Sequence, residues 1–535
     1  MKKQWKYSLL LALIILIQCA CFVYIGNFKR GIFIDEIYSY MLSNIDDGKM
    51  VADAPQVWGQ WIDAEVLKEF LTVQEGEGFA YGAVYEINSL DCHPPLYYWF
   101  MNTLCSFFPN QFNLWLGIGL NIFFYIFAAI GIYLCGRQLF HDEKLAFLPL
   151  ILYGFSSMAV NSVMYIRMYM LLTVCLVWYL YVQMVLRQKG ITKKTVLLNM
   201  VSVFFGVFTH YYFALFAFWT TLYKCVEMLR KKKIKEMLWY GGSALCGVLL
   251  VLLVYPAMFT QITGSETNNV GNQVSENMFN MEIGLDKLSL MTETIFSCLG
   301  VFQYFIPMVA AFFAVYLLVV FLRKKAKTEL LSKEYFNELL WLLTASILTY
   351  FSITFVGGEY VYMRYYLFLM PAIFLILTIL LKYLVEAVKL GKRSLIILIT
   401  FLSLWSGIFN VVNLDSPYRY EERAEFTDFI RENASDYKGI LISRQENVPM
   451  LQIYPALMEY REVYVAPVET VLENHVLSEL LEEERGGVVM INKDQIWSEG
   501  YDAEAVMDAL KEESDYSMAI YIGEIGDVEF YFVMK

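Results

Sequence analysis

Apolar runs of about 20 residues recur along most of this chain, and clusters of lysine and arginine punctuate them. A run of that length is what an α-helix needs to cross a bilayer, because lipid satisfies no backbone hydrogen bond and only closed barrels and helices survive there. The clusters are Arg137 with Lys144, Arg187 to Lys194, Arg230 to Lys235, Arg323 to Lys327 and Lys389 to Arg393. Cytoplasmic loops collect such residues. Between successive clusters there is room for one outward and one returning span. Spans near 112–135, 145–163, 165–186, 195–211, 212–229, 237–259, 299–322, 336–356, 363–384 and 394–413 satisfy every cluster. A first span, from Tyr7 to Ile25, follows Lys2, Lys3 and Lys6 and lacks the small-residue pattern of a removable signal. The total is about eleven, with the N-terminus cytoplasmic and the C-terminus outside.

Only 18% of the residues are charged and 58% are apolar, which agrees with a membrane chain. The charge is split unevenly. Residues 415–535 hold 27 acidic and 10 basic side chains, whereas 1–414 hold 26 and 31. Two domains follow: a transmembrane part over 1–414 and an acidic extracytoplasmic part over 415–535. An acidic tail has no basic face for nucleic acid. The tail alternates acidic amphipathic stretches (421–433, 469–484, 502–513) with β-rich runs such as Gly439 to Ser443, Val488 to Asn492, Met518 to Ile522 and Val528 to Val533, the pattern of a small α/β domain. Gly486-Gly487 precedes a strand, the wrong place for a phosphate loop.

The first outer loop runs over about 28–111, and its stretch 28–93 has twelve acids against four bases. Residues 95–108 are apolar but number only 14, with Asn102, Thr103 and Ser106 interspersed, and counting them as a span would put Arg230 to Lys235 outside. They are expected to form a helix lying in the interface, as are 284–297. Of nine cysteines none forms a CxxC; Cys92 and Cys298 both fall on the outer side and could pair, although sequence does not bring them together.

Ionisable residues near or inside a bilayer are costly, so each is a functional candidate. Asp35-Glu36 lies about ten residues past the first span with apolar neighbours on both sides, where a carboxylate could take a proton from a hydroxyl. Solvation at a helix start is the plainer account of such a pair. Asp91-Cys92-His93-Pro94-Pro95-Leu96-Tyr97-Tyr98 sets Asp91 and His93 before a helix N-terminus, fit either for capping or for holding an anion. Tyr165, Arg167 and Tyr169 lie at a turn between spans, His210 sits in Thr209-His210-Tyr211-Tyr212, and Arg364 in Tyr362-Met363-Arg364-Tyr365-Tyr366. For the tyrosines an aromatic belt is the simpler account. Arg167, Arg364 and His210 converge on one side of the bilayer, and arginine suits phosphate because its planar fork donates two parallel hydrogen bonds.

Four short motifs in order, Asp35-Glu36, His93-Pro94-Pro95-Leu96-Tyr97-Tyr98, Arg167-Met168-Tyr169 and Thr209-His210-Tyr211, resemble the polyprenyl-phosphate-sugar-dependent membrane glycosyltransferases of the GT-C type. Glycosyltransferase family 39, the protein O-mannosyltransferases and their bacterial relatives, is the nearest likeness, with the lipid A aminoarabinose transferases more distant. The motifs cover roughly residues 1–260, and the remainder is similar in layout only. The resemblance implies a polytopic α-helical GT-C-like fold and transfer of a hexosyl or pentosyl group, with inversion, from a polyprenyl-phosphate-linked sugar to an acceptor hydroxyl on a protein, glycan or lipid. It implies Asp35 as catalytic base supported by Glu36, and His93, Arg167, Tyr169, His210, Tyr211 and Arg364 around the donor's phosphate and sugar. The sequence departs from the pattern at Met164-Tyr165-Ile166, where many relatives carry Gln-Glu before Ala-Arg-Met-Tyr. A divalent cation stays open: Asp35, Glu36, Asp91, His93 and His210 carry ligand atoms, but their spacing fits no metal signature. Two other classes remain. A flippase or transporter of a polyprenyl-linked sugar would show internal repeats and broken midplane helices. A non-catalytic envelope-assembly protein would leave the convergence of Arg167, His210 and Arg364 unexplained.

Overall fold

A computed structural model describes residues 2–44, 58–264, 281–322, 333–357, 361–420, 424–443, 450–451, 453–481, 486–493, 502–514 and 516–535. The cluster Arg323 to Lys327 lies outside the described residues. The chain divides into two compact units: Met1–Phe28, Asn88–Tyr97 and Gly117–Ser416 in one, Lys29–Ile87, Tyr98–Leu116 and Pro417–Lys535 in the other.

The first unit is helical. Among the described residues, seven helices are long and apolar enough to cross a membrane, and two bent pairs raise the count to nine. The remaining two expected spans are Lys193–Val207, shorter than the others, and Tyr212–Arg230, which carries Lys224 and Glu227. The expected eleven therefore correspond to observed helices. Some starts are set by a side-chain cap. Thr192 caps the Lys193–Val207 helix, its hydroxyl accepting from the Thr195 amide while the Thr195 side chain takes the Thr192 amide.

The first bent pair departs from an expected straight span, whereas the second joins the stretch 284–297, expected to lie in the interface, to the span expected from 299. The span expected at 145–163 is Phe147–Gly154 followed by Ser157–Met164, bent by 63°. Ser156 is extended (φ −84°, ψ 153°) and its Oγ accepts from the Ala159 amide, so a new helix starts where apolarity alone suggests continuity. Close packing holds the break: a Cβ on Gly154 would lie 2.1 Å from the Tyr125 hydroxyl and 2.2 Å from Gln18 Nε2. The second pair, Gly284–Ser297 and Phe302–Val315, is bent by 111° around Gly300, whose φ is +56°. Cys92 and Cys298 are free thiols, so the pairing open to them from sequence is not formed.

The second unit holds a six-stranded sheet, β1 (Trp61–Asp63), β2 (Lys438–Ile442), β3 (Glu462–Ala466), β4 (Gly487–Asn492), β5 (Met518–Ile525) and β6 (Val528–Met534), in the order β1-β3-β2-β4-β6-β5. β2 runs parallel to β3 and β4, while the other pairings are antiparallel. β2 and β4, buried on both faces, read as the continuous apolar runs such central strands require. β1 comes from the loop that follows the Lys2–Gly26 helix and pairs with β3 in the register Trp61↔Tyr464. Loop and tail thus share one sheet. The Leu96–Cys105 helix, 10 residues and about 15 Å long, is half the length needed to span.

Candidate functional site

The Asp91-Cys92-His93 segment ends one helix and the prolines Pro94-Pro95 open the next. His93 Nδ1 lies 3.0 Å from Asp91 Oδ2 and 3.1 Å from Cys92 Sγ. Burial raises the Asp91 carboxyl, but the His93 hydrogen bond, the His93 charge and the Arg167 charge outweigh it, and the net result holds Asp91 below the usual carboxylate value. Asp91 is therefore ionised at neutral pH. Its backbone is clamped from a distance in sequence. Gln261, in the short Ala257–Thr263 helix, donates from Nε2 to the Asp91 carbonyl at 2.7 Å and the Asn88 carbonyl at 2.8 Å. Tyr211 donates its hydroxyl to Gln261 Oε1, and Tyr255 donates to the His93 carbonyl at 3.4 Å.

His210 sits in the turn between the helices Lys193–Val207 and Tyr212–Arg230, 5% exposed. Its ring lies 5.4 Å from that of His93, 5.8 Å from Tyr169 and 4.8 Å from Tyr212. Nδ1 accepts from the Tyr212 amide at 3.1 Å, so in the neutral ring the proton is on Nε2. That Nε2 is buried and has no hydrogen-bond partner. A buried donor without a partner is costly, and an oxygen ligand would relieve it. Arg167 is 4% exposed and lies close enough for its charge to act on both Asp91 and His210.

Arg364 is the second residue of the 3-10 turn Met363–Leu369 and lies over aromatic faces, with its guanidinium carbon 4.1 Å from the Tyr362 ring centre, 5.3 Å from Tyr365 and 5.9 Å from Tyr165. Tyr365 joins this group to the histidine, 6.3 Å from His210 and 6.0 Å from Tyr169. Six sequence candidates (His93, Arg167, Tyr169, His210, Tyr211 and Arg364) thus meet within one unit. Gln261 and Tyr255 were not singled out by sequence. The signal available was a polar Thr260-Gln261 pair soon after the Tyr255-Pro256 break.

Asp35 and Glu36 belong to the second unit, in the first turn of the Ile34–Asn44 helix. The pair is not equivalent. Glu36 is fully buried, its oxygens 2.9 and 3.2 Å from Lys29 Nζ and 2.8 Å from the Phe33 amide. Lys29 also donates to the Tyr418 carbonyl at 2.7 Å and lies 4.9 Å from the Tyr420 ring centre. Glu36 is thereby spent on holding the loop. Asp35 is only partly buried.

The crystal structure of ArnT from Cupriavidus metallidurans bound to undecaprenyl phosphate superposes on this chain with a TM-score of 0.52, covering 98% of each chain at 10% identity. The same enzyme in its apo state gives 0.51, with 99% of this chain and 98% of that chain covered, again at 10% identity. The chain has the GT-C fold. The fold expected from the four motifs is the one observed. No protein-family model matches the chain, and no curated protein matches it by sequence. The narrower likeness to glycosyltransferase family 39 rests on the motifs alone.

Proposed function

We propose that this GT-C-fold chain is an integral-membrane glycosyltransferase that moves a sugar from a polyprenyl-phosphate donor to an acceptor hydroxyl at the outer face of the membrane. The N-terminus is placed in the cytoplasm and the tail outside, as the basic clusters require. The observation that carries the reading is the unpartnered Nε2–H of His210, buried beside His93 and under the charge of Arg167. Such a donor in a dry, cationic, aromatic-lined site suits a phosphate monoanion or dianion. The GT-C fold, shared with a structure that holds undecaprenyl phosphate, supports the same ligand class.

The acceptor oxygen attacks the anomeric carbon, the bond from that carbon to the phosphate oxygen breaks, and polyprenyl phosphate leaves with the electron pair. Asp35 takes the acceptor's proton. Glu36, locked to Lys29 and the Phe33 amide, fixes the helix start from which Asp35 projects. Arg167, His210 and Arg364 stabilise the charge that grows on the leaving phosphate, the kind of preorganised effect whose loss costs roughly a hundredfold or more in rate. A single displacement inverts the anomeric centre.

The ligand atoms of Asp91, Cys92 and His93 lie within 4.8 Å of one another, a group that could hold a divalent cation. That O, S and N set suits a borderline ion such as zinc better than magnesium, which takes oxygen donors. Its contribution there would be to neutralise charge on the donor's phosphate.

Binding of undecaprenyl phosphate to purified protein tests the site. Wild type should bind, while His210→Ala and Arg167→Ala should each weaken binding by roughly tenfold or more. Equal binding by both variants, in folded protein, would refute the phosphate assignment.

A further inference from the structure

A second polar site lies at the other end of the helical unit, among the helices Tyr169–Lys189, Tyr212–Arg230, Ile234–Val254 and Lys333–Gly357. A cavity of about 160 Å³ opens there, lined by Arg187, Lys224, Lys231, Lys233, Tyr240 and Trp341 among others. Three of its four cations are paired. Arg187 meets Glu338 at 2.8 Å, Lys231 meets Glu227 at 2.6 Å, and Lys233 meets Glu236 at 3.0 Å.

Lys224 differs. It is 8% exposed, and among the described residues it has no ion-pair partner. Its ammonium donates to the Gln183 carbonyl at 3.1 Å and sits 4.9 Å from the centre of the Trp341 ring. Glu338 is near enough to act on it, yet one Glu338 oxygen is held by Arg187 and the other by the Trp341 indole N–H. Gln183 is fixed in turn by the Tyr240 hydroxyl at 2.8 Å and by Asn199 at 2.7 Å. The carbonyl and the ring thus fix Lys224's place while leaving two of its three donors unspent. Glu338 and Glu227 act on Lys224 only from a distance; a buried ammonium without a direct ion pair is costly, and a cavity that contains one suits an anion.

The setting identifies the anion's source. The mouth lies at the end of the bundle where Arg187 to Lys194 and Arg230 to Lys235 gather, the end that the positive-inside rule assigns to the cytoplasm. On the flanking helix, Ile234, Leu238 and Trp239 are exposed, a surface suited to acyl chains and to the headgroup level. Basic pockets between membrane helices on that side receive lipid phosphates. We propose that this cavity binds the phosphate headgroup of an anionic phospholipid of the inner leaflet, with Lys224 as its counter-ion. The site is independent of the donor-phosphate site around His210.

Thermal unfolding of the purified, delipidated full-length protein tests this, with phosphatidylglycerol, phosphatidylcholine or inorganic phosphate added in turn. Phosphatidylglycerol should raise the Tm of wild type and of Lys224→Arg, and phosphatidylcholine should not. In Lys224→Met the affinity read from the dose dependence of that shift should fall roughly tenfold or more. Lys193→Ala, exposed at the same end but outside the cavity lining, should keep the response and control for general surface charge. An equal response in Lys224→Met overturns the site, as does no response to phosphatidylglycerol in wild type. A shift of equal size with inorganic phosphate overturns the lipid as the source of the anion.

Discussion

At the scale of single residues, the two carboxylates of Asp35-Glu36 look alike in sequence and are assigned opposite tasks by their surroundings. Lys29→Met would leave the Glu36 carboxylate buried without its cation, and unfolding measurements should show a loss of about 3–5 kcal/mol. Lys29→Met combined with Glu36→Leu should recover much of that loss, because the desolvation cost of both charges goes with them. Asp91 sets a pH signature. Its folded value lies below the ordinary 3.8, so its stabilisation is fully present above that pH and is lost as pH falls through the folded value. The Tm difference between wild type and Asp91→Asn should therefore be constant from neutral pH to about pH 4 and shrink below it. The motif residues were legible because each is an ionisable or aromatic side chain out of place beside apolar runs. Gln261 was not, because its role is a contact between segments some 170 positions apart in the chain.

At the scale of elements, apolar runs show where a helix crosses but not where it breaks. The 63° bend rests on Ser156 and on Gly154, whose bare backbone lets Tyr125 and Gln18 approach. Gly154→Ala should force these groups apart and lower stability by about 1–3 kcal/mol in an unfolding assay. The serine pair Ser156-Ser157 was the available signal, masked by flanking apolar residues that fit a single 145–163 span. β2, β4, β5 and β6 could be read from their β-branched and aromatic runs, β3 was not singled out, and β1 could not be. It is three residues long and exists through its pairing with β3, some 400 positions later. Trp61 anchors it, 5.5 Å from the Tyr464 ring and donating to Glu479 at 2.8 Å. Trp61→Ala should cost roughly 1–3 kcal/mol and expose the loop to limited proteolysis at unchanged helix content.

At the scale of the whole molecule, charge and hydropathy specify a membrane-embedded part and an acidic tail. The structure adds that the first loop and the tail form one unit with a common sheet. All six proposed phosphate and sugar contacts belong to the helical unit, and the proposed base, Asp35, to the other. The direct test is release of polyprenyl phosphate from radiolabelled polyprenyl-phosphate sugars by purified protein in lipid, comparing wild type with Asp35→Asn. Release by wild type, and its loss by roughly a hundredfold or more in a variant of normal abundance and Tm, is the predicted result. Release at the wild-type rate by Asp35→Asn would contradict the assignment of the base.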